Sequence, residues 1–311
     1  MQHKGRHLQS FAQMNLYAKL LLLGSICVAF IAVRWSAPSF NKESLKGARV
    51  LVTGASTGIG EQLAYHYARL GAQLVITARR GNVLEQVVSK CLEIGAQRAL
   101  FIPADMASPS DAESVVQYAI EKLGGLDYLV LNHIGPSPYR MWDGDVEHTR
   151  WLLEVNFLSY VQMTQKALPA LEKSNGSIVV VSSLLGKMCG PFALPYAATK
   201  FALNGFFGGL QHELAMQKSN VSITICILGL IDTDSAMEKI KGYINMTAYP
   251  AHEAAWHIIE AGASRQPETF YPWYTFYACL FRDWFPYLRD QAIQNSYTYN
   301  PQVNKEPVTG S

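Results

Sequence analysis

Tyr196 and Lys200 stand four residues apart, and on a helix that spacing puts both side chains on one face, about 6 Å from each other. A phenol ordinarily ionises at about pH 10, and an ammonium within a few ångströms favours the phenolate. The pair therefore predicts a tyrosine brought within range of proton transfer at neutral pH. Alone, Tyr-x-x-x-Lys is short enough to arise by chance in a chain with 16 tyrosines. Ser183 changes that balance. It follows the run Ser177 to Ser182 (SIVVVS), which reads as a buried parallel strand. Side chains beyond the carboxyl ends of such strands gather around the active-site crevice of open α/β sheets. Ser183 is thus placed to hold a substrate oxygen beside Tyr196, and both are candidate substrate contacts.

The elements that would position these groups begin at Ala48. ARVLVT is a short apolar strand, and EQLAYHYARLGA carries helix-spaced apolar residues to a glycine stop, with QLVITA as the next strand. Between strand and helix lies Thr53-Gly54-Ala55-Ser56-Thr57-Gly58-Ile59-Gly60. In that setting glycines let a pyrophosphate approach backbone amides at a helix N-terminus, which predicts a dinucleotide site. At the end of the second strand, where an NAD enzyme would carry an acidic residue for the ribose 2′-hydroxyl, the chain has Arg79 and Arg80. Arginines suit a 2′-phosphate, so NADP(H) is the expected cofactor; a solvated strand exit is the alternative.

Further strands are expected at Arg98 to Asp105 and Asp127 to Gly135, each after a helical stretch, giving an α/β fold with a Rossmann-type, doubly wound parallel sheet. Asp105, at a strand's carboxyl end, suits either an adenine amine or the N-cap of the helix after Pro109. Asn156 falls on a largely apolar helix, where its amide needs a partner. Leu228 to Asp234 leaves another strand end over the same crevice and suits a lid.

The chain has 311 residues, 49% of them hydrophobic, enough for one α/β domain of about 250 residues with short extensions. We expect the catalytic domain over 46–290 and a flexible tail over 291–311. A formal charge of +2 with 16% charged residues argues against nucleic acid as a partner. The 5 cysteines never take Cys-x-x-Cys spacing, so buried free thiols are expected and neither a metal site nor a disulfide framework. Ten aromatics crowd Phe270 to Tyr287, which fits burial, a subunit interface such as a homodimer's, or a membrane surface.

After the tail 1–19, the uncharged apolar run Leu20 to Val33, within 20–35, reads as a membrane anchor or a cleaved signal sequence. Flanking charges do not set its orientation. Three sequons, at Asn175, Asn220 and Asn245, are glycosylation sites if the domain lies in the secretory lumen.

With TGxxxGIG, Asn156, Ser183 and Tyr196-x-x-x-Lys200 in this order, the chain resembles the short-chain dehydrogenase/reductase family over about residues 46 to 270. The resemblance implies a catalytic tetrad. Tyr196 would exchange the proton, Ser183 orient the substrate oxygen, Lys200 hold the nicotinamide ribose and depress the tyrosine pKa, and Asn156 hold a relay water. It also carries cofactor contacts onto Gly54, Ser56, Thr57, Gly58, Ile59, Gly60, Arg79, Arg80, Asp105, Met106, Asn132, His133, Ile134, Ile231 and Thr233, besides Tyr196 and Lys200. LNHIG in place of the usual Asn-Asn-Ala-Gly, with EVNFLSY, NGSIVVVSSL and KFALNGFF, resembles the type 1 branch of the 11β-hydroxysteroid dehydrogenases. That branch implies a steroid-like substrate and an endoplasmic reticulum anchor with a lumenal catalytic domain; a secreted chain is the alternative. Two positions depart from the pattern. Thr57 stands where a basic residue often assists the 2′-phosphate, and Gly190 where steroid-reducing relatives carry an aromatic. The expected function is an NADP(H)-dependent oxidoreductase acting on CH–OH groups of a steroid-like lipid. The competing readings are a reductase of another apolar carbonyl, such as a retinoid or sphingoid ketone, and a cofactor-binding scaffold without turnover.

Overall fold

Apolar runs rich in Val, Ile and Leu become the central strands, because a parallel sheet covered on both faces buries nearly every position there. These are β1 (Arg49–Thr53), β2 (Gln73–Ala78), β3 (Arg98–Pro103), β4 (Tyr128–Leu131), β5 (Ser177–Val181) and β6 (Ser222–Leu228). β7 (Ile231–Asp232) and β8 (Tyr249–Pro250) form a separate two-stranded sheet, and β9 (Glu268–Tyr271) completes the main one. The main sheet has 7 strands in the order β3-β2-β1-β4-β5-β6-β9, every neighbouring pair parallel. The order reverses between β1 and β4, which opens a crevice at their carboxyl ends.

The computed structural model describes residues 18, 21, 24, 25, 40–244 and 246–299. Two units divide the chain, Met1–Ser39 and Phe40–Ser311. In the first, Ala18, Leu21, Gly24 and Ser25 are helical, and the rest of the expected anchor or signal lies outside the described residues, as do Asn245, Cys27 and residues from 300 onward. Among the described residues no helix is long and apolar enough to cross a membrane.

In the second unit, alternate strand residues point to opposite faces and build two cores. Val50, Val52, Leu74 and Ile76 pack under α1 (Gly58–Arg69), α2 (Gly81–Glu93) and a later helix through Leu63, Leu84 and Ile258. Leu51, Val75, Leu129 and Val180 face α3 (Pro109–Leu123) and the helices that follow it, meeting Val115, Met163, Leu203 and Phe207. α4 (Val146–Leu153) runs through a π-helical turn, Glu154–Leu158, into α5 (Ser159–Ser174), and α6 (Leu194–Met216) carries Tyr196 and Lys200. α7 (Asp234–Ile240), α8 (Ala251–Ala263), α9 (Tyr274–Phe281) and α10 (Pro286–Asn295) complete the set.

Two expectations change here. The N-cap of α3 is Ser108, whose hydroxyl accepts the Asp111 N–H, with Pro109 in the first turn and Gly124 (φ 73°) at the stop. Asp105 instead accepts the Ala107 N–H at 3.1 Å and stays exposed. The segment from 291 is also no loose tail as far as 299: α10 runs to Asn295, and Tyr297 pairs with Ile244 in an antiparallel bridge. Aromatic contacts with Phe192 hold it there. The aromatic stretch before it divides. Phe270 packs against the core, whereas Trp273, Trp284 and Tyr287 remain 70%, 69% and 72% exposed.

Candidate active site

α6 begins one residue before Pro195, so Tyr196 and Lys200 occupy its first two turns on one face, as the spacing predicts. β5 ends at Val181, and Ser183 caps the short turn that follows by accepting the Leu185 N–H at 3.1 Å. Tyr196 lies beside Ser183, close enough for the serine to favour its phenolate form. Lys200 is only 1% exposed; its ammonium group donates to Val181 O at 2.8 Å and sits 5.5 Å from the Tyr196 ring centre and 5.9 Å from that of Tyr160. Asn156, fully buried on the π turn, accepts the Gly135 N–H at 2.7 Å through Oδ1, and its Nδ2 donates to Thr199 Oγ1 at 3.3 Å. Thr199 in turn donates to the Tyr196 carbonyl at 2.7 Å. The structure thus brings Asn156, Ser183, Tyr196 and Lys200 into one connected cluster.

The electrostatics differ from the expectation for the pair. The Tyr196 side chain is half-buried; burial pushes the phenol up to about 12, and Ser183 beside it only partly opposes this. Lys200 does not bring it down, because burial lowers the lysine itself to about 7. Removing a charge from water outweighs an attraction that a half-titrated amine exerts weakly. As the chain stands, the cluster holds a protonated phenol and an amine poised near neutrality.

A cleft of 1430 Å³ lies over the crevice between β1 and β4. Gly54, Ser56, Thr57, Gly58 and Ile59 line it at the start of α1, Arg79 and Arg80 after β2, Asp105 and Met106 after β3, Asn132, His133 and Ile134 after β4, and Thr233 beside β7. A dinucleotide fits this wall. Gly54 (φ 65°) could not carry a side chain, since its Cβ would stand 2.7 Å from His133 Cα, and at Gly58 (φ 61°) a Cβ would meet Thr233. The helix start therefore presents bare backbone to the cleft. Arg79 and Arg80 are exposed beside it, Arg80 donating to Ser56 Oγ at 3.2 Å, where they suit a phosphate.

Two expected contacts are placed elsewhere. Gly60 is buried away from the cleft, where a Cβ would strike the Gly54 carbonyl, so its role is close packing of α1 on the turn. Ile231 is 5% exposed and packs into the core, leaving Asp232 and Thr233 on the wall. Ser183, Tyr196 and Lys200 do not themselves line this cleft. The link runs through Tyr160, whose hydroxyl donates to His133 O at 2.7 Å while its ring lies under Lys200.

Gly190 has an aromatic neighbour after all. A Cβ there would meet the Tyr297 hydroxyl at 2.5 Å, and Tyr297 belongs to an aromatic cluster with Phe192, Tyr139 and Tyr243, on the stretch leading into α6. Tyr297 escaped sequence reading because 107 residues separate it from Gly190. Tyr160, Ser159, Thr199 and Thr53 were missed as well; only the apolar setting of Asn156 pointed to a polar partner nearby. Among the thiols, Cys91 and Cys226 are buried as expected, but Cys189 is exposed.

A family model described as short chain dehydrogenase matches residues 48–244. A Danio rerio protein called hydroxysteroid 11-beta-dehydrogenase 1-like protein is 88% identical over 288 residues, 93% of this chain and 100% of that one. A Xenopus tropicalis protein of the same name is 61% identical over 262 residues, 84% of this chain and 92% of its own. Among solved structures, a short chain dehydrogenase from Burkholderia cenocepacia J2315 in complex with NADP superposes with a TM-score of 0.63 at 28% identity, covering 73% of this chain and 95% of that one. A Burkholderia phymatum short chain dehydrogenase/reductase in complex with NAD reaches 0.70 at 18% identity, over 85% and 99%, and shares the fold.

Proposed function

The chain belongs to the short-chain dehydrogenase family, and on that premise we propose that it is an NADP(H)-dependent oxidoreductase interconverting a hydroxyl and a ketone on a steroid-like lipid. The observation that carries this reading is the Ser183–Tyr196 hydroxyl pair set against the buried Lys200, one tyrosine away from a cleft walled by bare helix-start backbone and two arginines. The names of the most similar relatives and the NADP complex of a structural neighbour support the substrate class and the cofactor.

When bound, the nicotinamide supplies the hydride. Ser183 holds the substrate oxygen by hydrogen bonding. Tyr196, protonated across the working pH range, donates its proton to that oxygen in the reductive direction and recovers it through the polar groups behind it. Lys200, near its own titration point, takes up or releases charge beside the phenol as the proton moves. The apolar, aromatic surroundings of Tyr297 and Phe192 exclude water and suit a rigid apolar substrate.

NADPH oxidation against a panel of steroid, retinoid and sphingoid ketones tests the reading. Turnover of steroid ketones is expected. Turnover confined to another ketone would correct the substrate, and tight NADPH binding without any turnover would leave only a scaffold.

The proposal extends to location: an uncleaved N-terminal anchor in the endoplasmic reticulum membrane, with the catalytic domain in the lumen. The exposed side chains of Asn175 and Asn220 support it, although the sequon serines Ser177 and Ser222 bond each other at 2.8 Å, so transfer of glycan would precede closure of β5 on β6. A glycosidase-sensitive mass shift in the full-length chain is expected, and absence of glycan at all three asparagines would sink the lumenal assignment.

A further inference from the structure

His133 is 7% exposed and lies two residues beyond the end of β4. Its ring makes contacts on both sides. Nδ1 is 2.9 Å from Thr53 Oγ1, at the end of β1; Nε2 is 2.8 Å from Ser159 Oγ and 3.1 Å from Val155 O, at the two ends of the stretch holding Asn156. The π turn explains why Val155 O is available. The Ser159 N–H reaches back to Glu154 O, so it does not take the Val155 carbonyl as it would in an α-helix. That carbonyl accepts from Ser159 Oγ at 2.6 Å instead.

The hydrogens are consistent with one tautomer. Val155 O can only accept, so Nε2 carries the ring hydrogen and Nδ1 is the acceptor; Thr53 Oγ1, which accepts the Asn132 and His133 backbone N–H groups at 2.9 and 3.3 Å, faces both Nδ1 at 2.9 Å and Val130 O at 3.2 Å with its one proton. Nε2–H then donates toward Ser159 Oγ and Val155 O, while Ser159 O–H donates to Val155 O. Burial pushes the imidazole down to about 3, keeping it neutral and this arrangement constant across the working pH range.

We propose that His133 is a positioning residue: its imidazole clamps the π turn to the end of β1 and so sets where Asn156 stands relative to Thr199, Tyr196 and Lys200. The role rests on the oxidoreductase reading above. Asn156 sits between Val155 and Ser159, both held by the clamp, and its amide reaches Tyr196 through Thr199. Without the ring, Val155 O keeps only Ser159 Oγ, and the turn is free to relax toward regular helix, which would rotate Asn156 away from Gly135 and Thr199.

The test compares full-length wild type with His133→Ala, His133→Asn, His133→Gln, Asn156→Ala and the double variant His133→Ala/Asn156→Ala, using NADPH and a ketone the wild type reduces. His133→Ala should lower kcat at saturating NADPH by about 100-fold, the scale of a misplaced catalytic group; because His133 also lines the cleft, NADPH affinity is measured separately. The double variant should be no slower than Asn156→Ala, because a clamp acts through the residue it holds. His133→Gln, with an acceptor and a donor spaced as in imidazole, should recover much of the rate; the shorter His133→Asn should not. Wild-type kcat in His133→Ala, a multiplicative loss in the double variant, or a loss that follows NADPH affinity would overturn the proposal. Should His133→Ala fail to fold, His133→Gln and Ser159→Ala carry the same comparison. Should the wild type reduce no ketone, the oxidoreductase reading fails instead. Amide exchange at Ser159 and Tyr160 then decides the clamp: faster exchange in the His133 variants sustains it, unchanged exchange removes it.

Discussion

The amino and carboxyl ends of the central strands, the two rims of the main sheet called its amino and carboxyl edges, handle charge in opposite ways. At the amino edge, Arg49 opens β1 and Asp127 precedes β4. The guanidinium donates to the carboxylate through Nε and Nη2 at 2.9 and 2.6 Å, the Arg49 backbone N–H adds a bond at 2.8 Å, and Nη1 reaches Gly124 O. Burial pushes Asp127 up, but the Arg49 bonds outweigh it and hold the carboxyl below its usual range. At the carboxyl edge, Lys200 is more deeply buried, it donates to the neutral Val181 carbonyl, and it falls to about 7. The first edge places charges together and gains stability; the second desolvates ionisable groups at a cost to stability, which keeps them close to titration where proton transfer is wanted.

Lys200→Met should break that contrast most. In the folded chain Lys200 titrates at about 7, against 10.5 for an ordinary lysine in the unfolded chain. The unfolded state binds more protons between these values, so this group's burial cost is complete below pH 7 and is relieved as pH rises toward 10.5. Above about 10 the raised Tyr196 acts the other way, since the unfolded phenol loses its proton first. Lys200→Met should therefore cut kcat by roughly 10²- to 10⁴-fold, yet raise the urea midpoint at neutral pH and flatten its climb toward pH 10. An unchanged midpoint and slope would show that burial of Lys200 carries no cost.

Arg79→Asp sharpens the comparison within the carboxyl edge, because it replaces a charge that is exposed rather than buried. It should weaken NADP binding on the order of 10- to 100-fold through repulsion of the 2′-phosphate and leave NAD the tighter ligand by fluorescence titration. If NADP still binds better, Arg80, already bonded to Ser56, is the discriminating residue.

The smallest effect is expected at the amino edge. Asp127→Ala should lower unfolding free energy by about 2 kcal/mol, the scale of charge-assisted hydrogen bonds, with kcat/KM unchanged. The Asp127 contribution is present above the ordinary carboxylate value and is lost as pH falls through its lowered folded value. The variant's stability should accordingly depend less on pH in the acid range.

Much of this site was legible because it is local in the chain. Tyr196 and Lys200 share a helix face, Ser183 follows an apolar strand, and Gly54 and Gly58 sit between strand and helix; each follows from period, steric freedom and side-chain type over a few residues. The misreadings concern contacts that residue type and spacing do not report. Gly60 resembles a cofactor glycine in sequence, but its missing Cβ serves contact with Gly54 O. Asp105 lost the cap of α3 to Ser108, which stands directly before Pro109.

By itself the sequence determined the strand order's building blocks, the dinucleotide-type turn and the identity of the four central polar residues, because patterning and short spacings are written along the chain. Tertiary structure alone decided how those residues behave. Desolvation depends on everything packed around a group, so the rise of Tyr196 and the fall of Lys200 appear only once α6 lies on β5. The His133 clamp on the π turn and the Tyr297 ring over Gly190 join segments tens to more than a hundred residues apart, and no spacing along the chain encodes such meetings.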